Sequence, residues 1–207
     1  MARRKNIAFV RNVRKKHNFK ISMLKIQDKY KKEVIPQMMK KFGYKSIMAV
    51  PKVEKVVLNS CFGKDVASKT GQERDKVVQN VVHDLTAISG QKPKVIKAKK
   101  SISGFKLRSG IEIAAAVTLR KNKMYDFLER FICLTLPRLR DFKGLQSKSI
   151  DKKGNLTVGF KEDIAFSEII TEKEKTIFGL EVTIVTSARN KEEGLELFKL
   201  LGFPIKK

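Results

Sequence analysis

An α+β fold is predicted for residues 26–207. Stretches with helical spacing of apolar residues are interspersed with stretches that alternate apolar and polar residues, and the two do not alternate strictly, as a parallel α/β sheet would require. One of the predicted strands also carries a second face of small and polar residues, which builds no core but lets a bulky flat partner lie close. With 207 residues, 42% of them hydrophobic, the chain can bury a real core and fits one domain or two small ones. Residues 26–207 contain no internal repeat and no low-complexity linker, and they are read as a single domain.

The elements follow in order. Ile26, Tyr30, Val34, Met38 and Phe42, with Ile35 and Met39 beside them, form an apolar helical stripe that stops at Gly43. Pro36 should kink or restart that helix. VEKVVLNS, after Pro51, reads as a strand with Val56 and Leu58 on one side and Lys55, Val57 and Asn59 on the other. Thr70 and Glu73 form a capping-box pair ahead of Val77, Val78, Val81, Val82, Leu85 and Ile88, a second amphipathic helix ended by Gly90. Residues 94–99 and 112–120 read as two strands around a basic loop. The second has Ile113, Ala115, Val117 and Leu119 on its apolar face and Glu112, Ala114, Ala116, Thr118 and Arg120 on the other. Met124, Phe127, Leu128, Phe131 and Ile132 stripe a third helix, which Pro137 should terminate. Leu156, Val158 and Phe160 alternate after a turn at 151–155, and Leu180, Val182 and Ile184 alternate later. Asn190 with Glu193 then caps a last helix that ends at Gly202 and Pro204.

Charge narrows the partners. The chain has 46 Lys and Arg against 21 Asp and Glu, a net +25, well beyond what solubility requires. Nine of the cations and none of the acids lie in residues 1–25, so residues 26–207 keep 37 cations against 21 acids and the folded body is itself basic. The densest segment is SGQKPKVIKAKKSISGFKLRSG at 89–110, with Lys92, Lys94, Lys97, Lys99, Lys100, Lys106 and Arg108 and no anion. A polyanion suits it, because each neutralised phosphate releases condensed counterions and glycines let the backbone approach closely. The plainer alternative is a solvated charged hairpin tip.

Several function classes lose support. No apolar run reaches the ~18 residues of a membrane span, and the N-terminus lacks the apolar core of a secretory signal. The start MARRKNIAFVRNVRKKHNFK reads as a basic flexible arm that orders on RNA, with an organelle transit peptide as the alternative. Cys61 and Cys133, flanked by apolar residues, are expected to be small buried hydrophobes. The only other soft ligands are His17 and His83, without CxxC or HExxH spacing. Glu162 with Asp163 and Glu192 with Glu193 diverge as sequence neighbours and offer no Mg²⁺ cluster. No phosphate-loop or dinucleotide fingerprint occurs, since Gly63-Lys64 is followed by Asp65. No catalytic residue, metal, cofactor or small-molecule substrate is expected.

VPKVEKVVLNS, DLTAISGQKPKVIKAKKSISGFKLRSG, VTLR, RFICLTLPRLRDFKGL and GNLTVGFKE occur in this order, and the chain thereby resembles the bacterial-type ribosomal protein five family over roughly residues 26–207. The resemblance implies a mostly antiparallel sheet with helices packed on one face and the other face open for RNA. It implies a structural constituent of the large ribosomal subunit, acting in translation, that binds 5S rRNA in the central protuberance. Its further partners would be neighbouring large-subunit rRNA, the P-site tRNA and small-subunit ribosomal protein thirteen, with no membrane involved, on a cytoplasmic ribosome or on an organelle ribosome if the arm is a transit peptide. Asn59, Gln91 and Thr118 would make the buried hydrogen bonds to RNA, flanked by Lys92, Lys94, Lys99, Lys100 and Arg120. The loop residues Ser101, Ser103, Gly104, Phe105, Lys106 and Arg108 would reach the tRNA, with Ile102, Phe105 and Leu107 extending from the body; a loop packed on the protein's own core is the alternative. Ser60-Cys61-Phe62-Gly63 stands where the family commonly has MGVG, which leaves the conformation of that turn open, and the 1–25 arm has no counterpart in a typical short member.

Overall fold

The computed structural model describes residues 26–69, 71–140, 142–169 and 177–206. The basic arm therefore lies outside the described residues, as does Thr70 of the expected capping box. Five strands form one antiparallel sheet: β1 (Val53–Cys61), β2 (Lys94–Lys97), β3 (Glu112–Leu119), β4 (Leu156–Phe160) and β5 (Leu180–Thr186), in the order β2-β3-β1-β5-β4. Strict alternation sends Val56, Leu58, Ala115, Val117, Leu119, Leu156, Val182 and Ile184 to one face, where all are buried.

That face is covered by helices. Helix α1 comprises Ile26–Lys29, a π-helical turn Tyr30–Val34 and Ile35–Phe42; α2 is Gly63–Ala67 and α3 is Gln72–Ser89. Helix α4 comprises Lys121–Arg130, a π-helical turn Phe131–Thr135 and Leu136–Arg138, and α5 is Lys191–Leu201. The apolar stripes are the buried ones: Ile26, Val34 and Met38 on α1, Val77, Val81, Leu85 and Ile88 on α3, and Met124, Phe127, Leu128 and Phe131 on α4. Phe131 sits at the centre of an aromatic cluster, its ring centroid 5.6 Å from Phe127, 5.7 Å from Phe160, 6.5 Å from Phe166 and 6.4 Å from Phe203. Each such buried ring contributes about 1.5–3 kcal/mol by removal from water.

Pro137 does not itself terminate α4, which runs one residue further to Arg138, whereas α1 restarts as regular α-helix at Ile35 with Pro36 in its first turn. In both, a five-residue π turn immediately precedes: Ile35 N–H donates to the Tyr30 carbonyl and Leu136 N–H to the Phe131 carbonyl. The widened turn moves the carbonyl that a proline ring would strike.

The cap of α5 differs from expectation, while that of α3, which starts after Gly71, rests on Thr70 and lies outside the described residues. At α5, Asn190 makes no side-chain cap bond, and Glu193 instead accepts from the Arg189 N–H at 2.9 Å, one residue earlier than a capping box would place it. Both cysteines are exposed rather than buried. Cys61 alternates to the face of β1 away from the helices, and Cys133 lies in the α4 π turn between half-buried Ile132 and exposed Leu134.

Side-chain ties lock the layers. The Arg130 guanidinium, its pKa lowered by burial against the opposing pull of Asp126, pairs with Glu168 and donates at 2.9 Å to the Ile88 carbonyl at the end of α3. The Tyr30 hydroxyl donates to the Pro51 carbonyl at 3.0 Å, and burial pushes its pKa up to about 12.

Candidate nucleic-acid interface

Register defines the face opposite the helices. Lys94 stands beside Ala116, Ala116 beside Asn59, Asn59 beside Glu181 and Glu181 beside Gly159, one row across all five strands. The adjacent row is Thr118, Val57, Thr183 and Thr157. Apart from Lys94 and Glu181 these side chains are short, and several are hydrogen-bonding, so most of the surface is low and lets the rim of a nucleic-acid helix or an unstacked base reach polar groups.

Each residue expected to bind rRNA can be placed on that geometry. Asn59 is half-buried at the centre; its Nδ2 donates to Glu181 Oε2 at 3.5 Å, a long bond that leaves most of the amide's capacity unused. Thr118 is exposed in the next row. Gln91 lies one residue past the left-handed Gly90 that ends α3, its backbone held by Ser89 Oγ at 3.2 Å. Lys123 Nζ donates to the Gly90 carbonyl at 3.0 Å, which ties this turn to the start of α4 beside exposed Arg120. Lys92 and Lys94 are exposed at the entrance to edge strand β2, and Lys99 and Lys100 are exposed just past its end. The structure thus gathers Asn59, Thr118 and Lys94 on one surface, places Gln91, Lys92 and Arg120 at one edge, and carries Lys99 and Lys100 to the root of the loop.

Sequence reasoning missed half of this surface. Glu181, Thr183 and Thr157 belong to it, and their signal was available as the outward positions of the β4 and β5 alternation, but only strand order shows that β5 lies beside β1. The face is also not free of acid: Glu112 lies 3.7 Å from Lys97, and Glu181 stands beside Asn59. An RNA backbone crossing this face is favoured at the cationic β2 edge and disfavoured at the centre, where neutral base or sugar edges fit better.

The loop between β2 and β3 is ordered by its own backbone. Ala98 and Ile111 close it, Ala98 N–H donating to the Ile111 carbonyl at 2.7 Å and Gly110 N–H to the Ala98 carbonyl at 2.9 Å. Ile102 and Leu107 exchange two bonds of 2.9 and 3.1 Å around a single 3₁₀ turn, Ser103–Phe105, and Ser101 Oγ accepts from Ser109 N–H. Phe105 is 69% exposed and Ile102 47% exposed, so these two apolar side chains stand away from the core, while Leu107 is half-buried. Ser101, Ser103, Gly104, Lys106 and Arg108 are exposed around them.

The turn Ser60-Cys61-Phe62-Gly63 has a defined shape. Ser60 Oγ donates to the Gly179 carbonyl at 2.9 Å, Phe62 is fully buried with its N–H on the Ile113 carbonyl, and Gly63 opens α2. Among the described residues no group of three His, Cys, Asp or Glu is arranged to hold a metal, and no helix is long and apolar enough to cross a membrane.

Comparison with known proteins accounts for this architecture. Residues 46–108 match the family model described as ribosomal protein L5, and residues 112–205 match the model for the C-terminus of the same ribosomal family. The chain is 49% identical over 184 residues to the large ribosomal subunit protein uL5 of Geotalea daltonii, covering 89% of this chain and 99% of that one. It is 48% identical over 185 residues to the corresponding protein of Colwellia psychrerythraea, with the same coverage. An antiparallel five-stranded sheet with one helix-covered face, two matching family models that between them run from residue 46 to 205, and near-half identity across whole relatives lead to one conclusion: the chain belongs to the ribosomal protein L5 (uL5) family, structural constituents of the large ribosomal subunit rather than enzymes.

Proposed function

We propose that the open sheet face is the surface that binds 5S rRNA, anchoring it in the central protuberance, and that the 98–111 loop contacts the tRNA in the P site. The observation that carries the first part is the row Lys94, Ala116, Asn59 with Thr118 adjacent: a low polar centre bordered by a cationic edge. Asn59, Thr118 and Gln91 supply hydrogen bonds to base or sugar edges, and Lys92, Lys94, Lys99, Lys100 and Arg120 meet phosphates. The loop reading is supported by an exposed Phe105 flanked by Lys106 and Arg108, where an aromatic ring packs on sugar or base and the cations on phosphate. Neighbouring large-subunit rRNA and small-subunit ribosomal protein thirteen, across the subunit interface, complete the partners, on a cytoplasmic ribosome. The arm of residues 1–25 is retained and adds phosphate contacts; intact mass of the native protein checks this, and a mature form starting near residues 21–26 would make the arm an import signal.

Replacing residues 102–108 by a short Gly-Ser linker separates the two surfaces. 5S rRNA binding should persist while retention of P-site tRNA on assembled ribosomes falls. Loss of 5S rRNA binding with an unchanged footprint on P-site tRNA would show that the surfaces are assigned the wrong way round.

A further inference from the structure

Behind the loop lies a cleft of about 490 Å³, lined by Ala67, Arg74, Lys106, Arg108, Ser109, Gly110 and Ile111, within the ~300–1,000 Å³ range of small-ligand sites. Among its described lining residues three are cations and none is an acid. Its walls come from distant parts of the chain: the end of α2, the first turn of α3 and the return limb of the loop. Arg74 is fixed by Nη2 donating to the Lys69 carbonyl at 2.9 Å, while its Nε is buried without an acceptor among the described residues. Lys106, which caps the Ser103–Phe105 turn, has φ +52, a left-handed conformation uncommon for a non-glycine residue. A phosphate entering this cleft would meet donors from two separate elements, with no carboxylate among the described lining residues to oppose it.

We propose that this cleft seats a phosphodiester of the RNA bound by the protein, gripped between Arg74 on α3 and Lys106 and Arg108 on the loop, and so fixes the loop's angle to the body. The inference rests on the RNA-binding reading above but uses a residue outside both surfaces assigned there. Arg74 suits this role because a planar fork with one edge already anchored loses little freedom when the other side meets phosphate oxygens.

The test uses the full chain with two probes, a 5S rRNA transcript in filter binding and tRNA on large subunits assembled with the variant. Arg74→Gln and Arg108→Gln should each weaken one of the two interactions several-fold and lower the slope of log K against log salt by about one. If both grip one phosphate, the double variant lowers the slope no further than either single change. Arg74→Lys, which keeps the charge, should retain most of the slope and controls for loss of the Lys69 contact. A response of the tRNA probe agrees with the loop assignment above, whereas a response of the 5S rRNA probe alone overturns the tRNA assignment of Lys106 and Arg108 while leaving the phosphate seat in place. Unchanged binding of both probes in Arg74→Gln, or fully additive slope losses in the double variant, overturns the proposal. Failure of the 5S rRNA reading shows separately, as an Asn59→Ala variant with unaltered 5S rRNA affinity.

Discussion

Asn59→Ala separates recognition from folding more cleanly than any other change on the sheet. Asn59 points away from the helices, and its side-chain bond to Glu181 is 3.5 Å long and exposed. Removing a bond of that kind changes stability by no more than about 0.5 kcal/mol. On the proposed interface the amide would be buried against RNA, and deleting it would leave a nucleotide donor or acceptor unpaired, at a cost of about 1–3 kcal/mol. That corresponds to an affinity loss of about 5- to 150-fold. Glu181 supplies an internal control: its carboxylate stands in the same row, so Glu181→Gln should tighten binding at low salt by removing a like charge from the path of the backbone. Filter binding of a 5S rRNA transcript and of a random RNA of equal length, with thermal melting of each variant, reads all three quantities. An equal loss on both RNAs, or a melting temperature that falls in step with affinity, would refute the reasoning.

Lys94→Ala and Lys99→Ala should instead weaken binding of either RNA modestly and flatten the salt dependence, because exposed cations contribute through counterion release rather than sequence; a loss confined to 5S rRNA would contradict this. In the helical layer, a Cβ on Gly194 would lie 2.5 Å from the Gly154 Cα and 2.6 Å from its carbonyl oxygen, so Gly194→Ala forces backbone to move. The expected cost is about 1–3 kcal/mol, a melting temperature lower by about 2–12 °C, whereas Gly104→Ala in the loop, with no atom within 4 Å, should melt like the parent. Acid should weaken the turn at 151–155. Although partial desolvation opposes it, bonds from the Asn155 and Lys153 backbone and the Asn155 amide hold the Asp151 pKa below its ordinary value. The turn's contribution is therefore present above the unfolded pKa and lost as pH falls through the lower folded one; with Asp151→Asn the low-pH limb of a stability profile should shallow, and an unchanged limb would contradict the assignment.

Much of this protein is legible in its sequence because local rules and tertiary demands coincide. The β1 and β3 alternations, the stripes of α1, α3 and α4, and the glycines that end α1, α3 and α5 each encode one face or one boundary, and packing left them where propensity put them. What failed was the part that needs a third dimension. Pro137 looks like the end of its helix, yet the helix runs one residue past it after a π turn, while α1 restarts at Pro36 as expected but through a π turn that no spacing announces. Cys61 looks buried from its apolar neighbours but sits on the outward phase of β1. The share of the face contributed by β4 and β5, and the meeting of Arg74, Lys106 and Arg108 around one cleft, depend on strand order and loop path, which no spacing along the chain records.

Site-directed crosslinking on the assembled ribosome tests the central assignment most directly. A photoreactive residue at Thr118, on the open face, and another at exposed Asp126, on the helical side, report which RNA lies within reach of each surface. Crosslinks to 5S rRNA are expected from position 118 and not from position 126. Crosslinks to 5S rRNA from position 126 but not from position 118 would place the RNA on the helical layer and contradict the assignment of the open face.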